Sequence, residues 1–130
     1  MQATDKTKKK RRVNVRTPEI MSHVQTEVEA HYRSHIVERF RQSGGRYTIE
    51  NTTVLLAKEF GFCYGVERAI DLAYATRQVF PNRKVYLIGE IIHNPEVNKQ
   101  LQIMGIMNLA GDNPDATISD LTEDDIVIVP

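Results

Sequence analysis

Glu59-Phe60-Gly61-Phe62-Cys63-Tyr64-Gly65-Val66-Glu67-Arg68-Ala69-Ile70 is the stretch on which the fold turns, and it holds the single cysteine of the chain. An apolar, β-type run over residues 52–57 leads into it. A helical apolar pattern leaves it at Val66, Ala69, Ile70, Ala73 and Tyr74, so Cys63 is expected on a strand-to-helix turn. Gly61 and Gly65 permit positive φ or close approach of another group, which lets such a turn be sharp and open. Just ahead of the first helical turn, unpaired N–H groups and the positive dipole end favour a thiolate. A thiolate serves as nucleophile, redox group or metal ligand, while an unreactive cysteine simply packs as a small hydrophobe. The residues alone leave these readings open.

Downstream, strand and helix signals alternate. The helix from Val66 stops at Val79, because Phe80 precedes Pro81 and a residue before proline is pushed out of the α region. Residues 84–88 carry the strand run Val85-Tyr86-Leu87-Ile88, closed by Gly89. Glu90-Ile91-Ile92-His93 then leads into Asn94-Pro95-Glu96, which reads as an N-cap, a proline at the first helical position and an acid in the first turn. Val97, Leu101 and Met104 continue that helix and Gly105 ends it. Residues 106–109 suit a short strand, 111–115 a loop and 119–125 an acidic turn, and Ile126-Val127-Ile128-Val129 is a buried-strand signal next to Pro130.

The expected fold class is therefore α/β, with segments 52–57, 84–88 and 126–129 as parallel strands of one short sheet flanked by helices. The turns after the first two strands open on the same sheet edge. Cys63 and His93 occupy those turns, on the edge where such sheets bind ligands and helix N-termini favour anions; the plainer alternative for His93 is a ring that only hydrogen-bonds its own loop. A buried parallel strand is normally followed by a crossover helix, so a chain stopping at Pro130 reads as a fragment.

Upstream, Thr17-Pro18-Glu19 is another helix start, and Ile20, Met21, Val24, Val28, Tyr32, Ile36 and Phe40 recur at helical spacing until Ser43-Gly44-Gly45. This amphipathic helix, with room for one break, carries His31 and His35 at i, i+4; with no Glu in the H-E-x-x-H position they read as exposed histidines rather than a zinc pair. Residues 1–16 hold seven basic side chains and one acidic, the remainder ten basic and sixteen acidic, so a zero net charge conceals a basic arm ahead of an acidic body. The Lys8-Lys9-Lys10-Arg11-Arg12 run lacks interleaved aromatics and reads as a solvated, disordered arm rather than a nucleic-acid surface. Three parts result: a disordered basic arm at 1–16, a helical extension at 17–45 and an incomplete α/β lobe at 46–130. One cysteine excludes an internal disulfide framework and suits a reducing, cytoplasmic setting. No apolar run is long enough to span a bilayer, which assigns the membrane no part.

The Gly61-Phe62-Cys63-Tyr64-Gly65-Val66-Glu67-Arg68-Ala69 motif, followed by Glu90-Ile91-Ile92-His93-Asn94-Pro95, closely resembles the N-terminal part of the hydroxymethylbutenyl diphosphate reductases, iron–sulfur enzymes of the methylerythritol phosphate route to isoprenoids. The likeness covers about residues 52–130 and is nearest to the cyanobacterial and plant branch. It implies a three-lobed α/β protein whose lobes each give one cysteine to a central 4Fe-4S cluster. By position in the motif, Cys63 is the first lobe's ligand to that cluster and His93 holds the substrate diphosphate. The implied reaction is a two-electron reductive dehydroxylation giving isopentenyl and dimethylallyl diphosphates, with a ferredoxin or flavodoxin as electron donor. The family's other two cysteines and its catalytic glutamate have no counterpart here. The resemblance therefore implies no catalytic residue within this stretch, an incomplete ligand set and an inactive isolated chain, unless missing C-terminal lobes or another chain complete it.

Two other classes compete. A cysteine-nucleophile enzyme acting on phosphate also wants a thiolate at a glycine-flanked helix start, although Arg68 lies inside the helix rather than at the far end of a phosphate loop. A non-catalytic interaction module would use the basic arm, and its binding would fall steeply with salt.

Overall fold

The computed structural model describes residues 13–111 and 114–130. The basic run at 8–12, and with it the expectation of a solvated arm, lies outside the described residues, as do two residues of the 111–115 loop. The described end of the arm lies against the body: Val15 packs on the hydrophobic core, and the Arg16 guanidinium stands 3.8 Å from the Asp71 carboxylate.

The expected long helix is broken once. Helix α1 runs Pro18–Tyr32, Arg33 and Ser34 turn the chain, and α2 runs His35–Gln42, its first turn capped by the Ser34 hydroxyl. His31 and His35 thus fall on different helices. His31 makes tertiary contacts, its Nδ1 lying 2.8 Å from the Tyr74 hydroxyl and its Nε2 3.3 Å from the Gln100 amide.

A hairpin follows, β1 (Arg46–Ile49) against β2 (Thr52–Leu55), antiparallel in the register Thr48 opposite Thr53. This corrects the sequence expectation, in which the 52–57 run was a buried strand of the parallel sheet. Every residue of β2 is exposed, with Leu55 63% accessible. A continuous apolar run indicates a strand but does not choose its partner. Here the adjacent Arg46–Ile49 segment pairs locally: Glu50 takes the left-handed conformation (φ 51°) at the turn, and the Leu56 N–H closes the ladder on the Gly45 carbonyl.

Helix α3 (Tyr64–Val79) begins two residues before the expected Val66 and ends as anticipated at Phe80. Beyond it lie β3 (Val85–Leu87), α4 (Pro95–Ile103), β4 (Ile106–Asn108), a single 3₁₀ turn (Ile118–Asp120) and β5 (Ile126–Ile128). The parallel sheet has the order β4-β3-β5, with Val85 level with Ile106 and Ile126. It is thus a short parallel sheet with helices, as expected, but its third strand is β4, in the place assigned to 52–57.

Alternation along β3 sends Val85 and Leu87 into one core with Ile106 and Ile128. Ile70, Ala73 and Tyr74 of α3, Val97 and Leu101 of α4, and Val24 of α1 complete that core, so the helical extension and the sheet share it. Among the described residues no helix is long and apolar enough to cross a membrane.

Arg77 fixes how α3 meets the sheet. Its Nη1 donates to the carbonyls of Phe80 (3.3 Å), Pro81 (3.4 Å) and Arg83 (2.9 Å), and its Nη2 to Gly105 (2.7 Å). Arg83 and Gly105 lie just ahead of β3 and β4, so one cation near the C-terminus of α3 pins the amino edge of the sheet and the turn between them. Arg77→Met keeps the stem but leaves these carbonyls without their donor. It is expected to lower the unfolding free energy by about 2–4 kcal/mol in a denaturant titration, with Arg77→Lys recovering only part because an ammonium does not span the fork.

Asp71 is nearly buried on α3, and desolvation, only partly offset by Arg16, raises its pKa above the ordinary carboxylate value of 3.8. A carboxyl with a raised folded pKa costs nothing below the unfolded value. Its penalty grows as pH climbs to the folded pKa and is constant above it. Asp71→Asn is therefore expected to raise Tm at pH 7 by about 2–4 °C, with the gain shrinking as pH is lowered toward 4; thermal scans across that range check it.

Candidate functional site

The site begins with the backbone before α3. Gly61 has φ +120°, a conformation that L side chains rarely adopt, so a glycine is required there. Gly65 is different: it lies inside the first turn of α3, and a Cβ there would meet nothing within 4 Å. The second glycine therefore does not shape the turn, and neither backbone conformation nor a close neighbour in this chain requires it.

Cys63 is the N-cap residue of α3, its thiol exposed and making no capping hydrogen bond. The Glu67 N–H bonds the Cys63 carbonyl. Among the described residues nothing accepts from the N–H groups of Tyr64, Gly65 and Val66. The exposed Cys63 thus sits next to three N–H groups without a protein acceptor, at the positive end of a sixteen-residue helix. Arg68, five residues on, is occupied elsewhere: its guanidinium donates to the Tyr64 hydroxyl at 3.1 Å and lies over that ring.

The N-terminus of α4 has the opposite character. Pro95 has no N–H, the Asn94 side chain accepts from Glu96 N (3.0 Å) and Val97 N (3.4 Å), and Asn94's own N–H bonds the Ile92 carbonyl. This corrects the expectation that backbone N–H groups beside His93 stand ready for an anion. They are used internally, and the available donor is the imidazole. His93 is 98% exposed, and its Nδ1 lies 2.7 Å from the Glu90 carboxylate.

Arg77 places the C-terminal end of α3 at the amino edge of β3 and β4, and α3, about 24 Å long, runs from there back to the Cys63 turn. The carboxyl edge of β3 delivers Gly89, Glu90 and His93. Between β3, β4 and α4 that edge also holds a cleft of about 270 Å³, whose polar lining is Glu90, Asn98, Gln102 and Asn108.

Glu90 stands in the Glu90–Pro95 motif without a role of its own there, and the amides of Asn98 and Asn108 carry no sequence signal. The signal for Glu90 was its i, i+3 spacing to His93. Among the described residues no three His, Cys, Asp or Glu side chains gather as a metal site, and Cys63 is the single cysteine of the chain.

The exposed Cys63 should react with iodoacetamide under native conditions at a rate within about threefold of that in denaturant, followed by mass spectrometry; protection by orders of magnitude would mark a packed thiol instead.

Comparison with known proteins follows the same residues. The family described as LytB protein matches residues 54–130. The chain is 42% identical over 99 residues to the 4-hydroxy-3-methylbut-2-enyl diphosphate reductase of Synechocystis, an alignment covering 76% of this chain and 26% of the relative. It is 40% identical over 103 residues to the Synechococcus protein of the same name (79% and 26%), and 38% identical over 107 residues to that of Thermosynechococcus vestitus (82% and 27%). The chain spans about a quarter of the length of these relatives. No solved structure matches it.

Proposed function

This chain belongs to the LytB protein family, and from that premise we propose that it forms the first lobe of an iron–sulfur oxidoreductase acting on (E)-4-hydroxy-3-methylbut-2-enyl diphosphate. The products are isopentenyl and dimethylallyl diphosphates, formed by two-electron reductive dehydroxylation. The observation that carries this reading is the match of residues 54–130 to that family, supported by an exposed cysteine at an uncapped helix start and an exposed imidazole at the turn after β3.

The cluster fits this chain as one ligand and no more. Cys63, backed by three unpartnered N–H groups, suits one corner of a cluster, whereas thiolate-held clusters ordinarily take several cysteines. The remaining sulfur donors come from further lobes or another chain, and these 130 residues alone are inactive. When bound, the cluster supplies the electrons that break the carbon–oxygen bond, fed by a ferredoxin or flavodoxin. His93 contributes a charged hydrogen bond to the diphosphate.

A chimera tests this, with the chain replacing the corresponding first quarter of the Synechocystis relative. The chimera is expected to show cluster absorbance and to reduce the substrate. Cys63→Ser should lose the absorbance, because oxygen is a poorer ligand for such centres. His93→Ala should keep the cluster and weaken diphosphate affinity by about 10- to 100-fold. A His93→Ala variant that loses the cluster yet keeps its affinity would reverse the two roles. The 130-residue chain alone, given iron and sulfide anaerobically, is expected to hold little chelator-resistant cluster, and a stoichiometric cluster on a monomer would refute the ligand count.

A further inference from the structure

We propose that Glu90 is a positioning residue for His93: its carboxylate fixes the proton of the neutral imidazole on Nδ1, so that Nε2 offers a donor to an anion only when the ring is charged. The inference rests on His93 as the diphosphate ligand proposed above and adds a control on when it binds.

The argument starts from the 2.7 Å contact between His93 Nδ1 and Glu90 Oε2. An ionised carboxylate only accepts hydrogen bonds, so Nδ1 carries the proton in either state of the ring. A neutral His93 then turns a bare lone pair at Nε2 toward the surface, and a phosphate oxygen meets a second acceptor. In the imidazolium Nε2–H points the same way and donates.

The arrangement matters here because nothing else at this turn compensates. Asn94 consumes the first N–H groups of α4 and Pro95 has none, so anion capture falls on the ring. Glu90 is held better than its partner, its side chain 35% exposed against 98% for His93, and it follows Gly89 at φ +82°, two residues past the end of β3. The carboxylate thus orients the imidazole from the sheet side. Glu90 is the one charged group pairing with the ring among the described residues; Glu96 and Lys99, along α4, form no ion pair with it. Anion binding at His93 should therefore fall steeply as the imidazolium is lost with rising pH.

The chain itself, labelled with ¹⁵N at histidine, decides this. Long-range ¹H–¹⁵N spectra report which ring nitrogen is protonated in the neutral state, and His93→Ala assigns the signal among the four histidines. The wild type is expected as the Nδ1–H tautomer, Glu90→Ala as the commoner Nε2–H form, and Glu90→Gln, whose amide oxygen still accepts, close to wild type. An Nε2–H wild type, or a Glu90→Ala variant still protonated at Nδ1, overturns the proposal.

Inorganic pyrophosphate supplies the second readout. Glu90→Ala should bind it about threefold to tenfold more weakly at pH 6 and lose affinity less steeply toward pH 8, because its neutral ring still donates from Nε2. Equal pH profiles for the two proteins refute the control. Pyrophosphate binding that ignores His93→Ala would instead remove the phosphate role of His93, a result independent of where the tautomer spectra place the proton.

Discussion

A parallel sheet of three-residue strands has too few ladder hydrogen bonds to set its own position, so its placement depends on what anchors its ends. Here the anchor is the Arg77 guanidinium. It draws the carbonyls ahead of β3 and β4 onto the end of α3, and the buried Tyr74, Ala73 and Ile70 then fall over Val85 and Leu87. The direction of α3 follows. The Cys63 turn at its start is thus set by a cation about 21 Å away along the helix.

Much of this was legible in the amino-acid pattern because it is local. Pro81 after Phe80, Asn94-Pro95-Glu96 and Gly105 each act within one helical turn, and the helix ends they mark are where they should be. The α/β class followed from the alternation, and the two site turns from their residues. What failed was long-range or competitive. Val54 and Leu55 have the composition of a buried parallel strand, but a neighbouring strand was available at no loop-closure cost, and the run became an exposed hairpin. Arg77 looks like any basic residue in a last turn; its partner Gly105 is 28 positions away. The His31–Tyr74 bond was hidden for the same reason.

The two turns differ in how they treat their backbone donors. One leaves three N–H groups open beside a cysteine. The other closes its donors with Asn94 and leaves an exposed imidazole held on one side by Glu90.

The open first turn of α3 also has a thermodynamic side. Three N–H groups without partners are a deficit that a capping side chain usually cancels, worth about 0.5–2 kcal/mol in ordinary helices. An anion bound at that turn would take the place of such a cap. Its binding free energy is then partly helix free energy, and occupancy and local order become linked functions. Amide exchange at residues 64–66 would then slow in step with any such binding, which makes the start of α3 a gauge of occupancy.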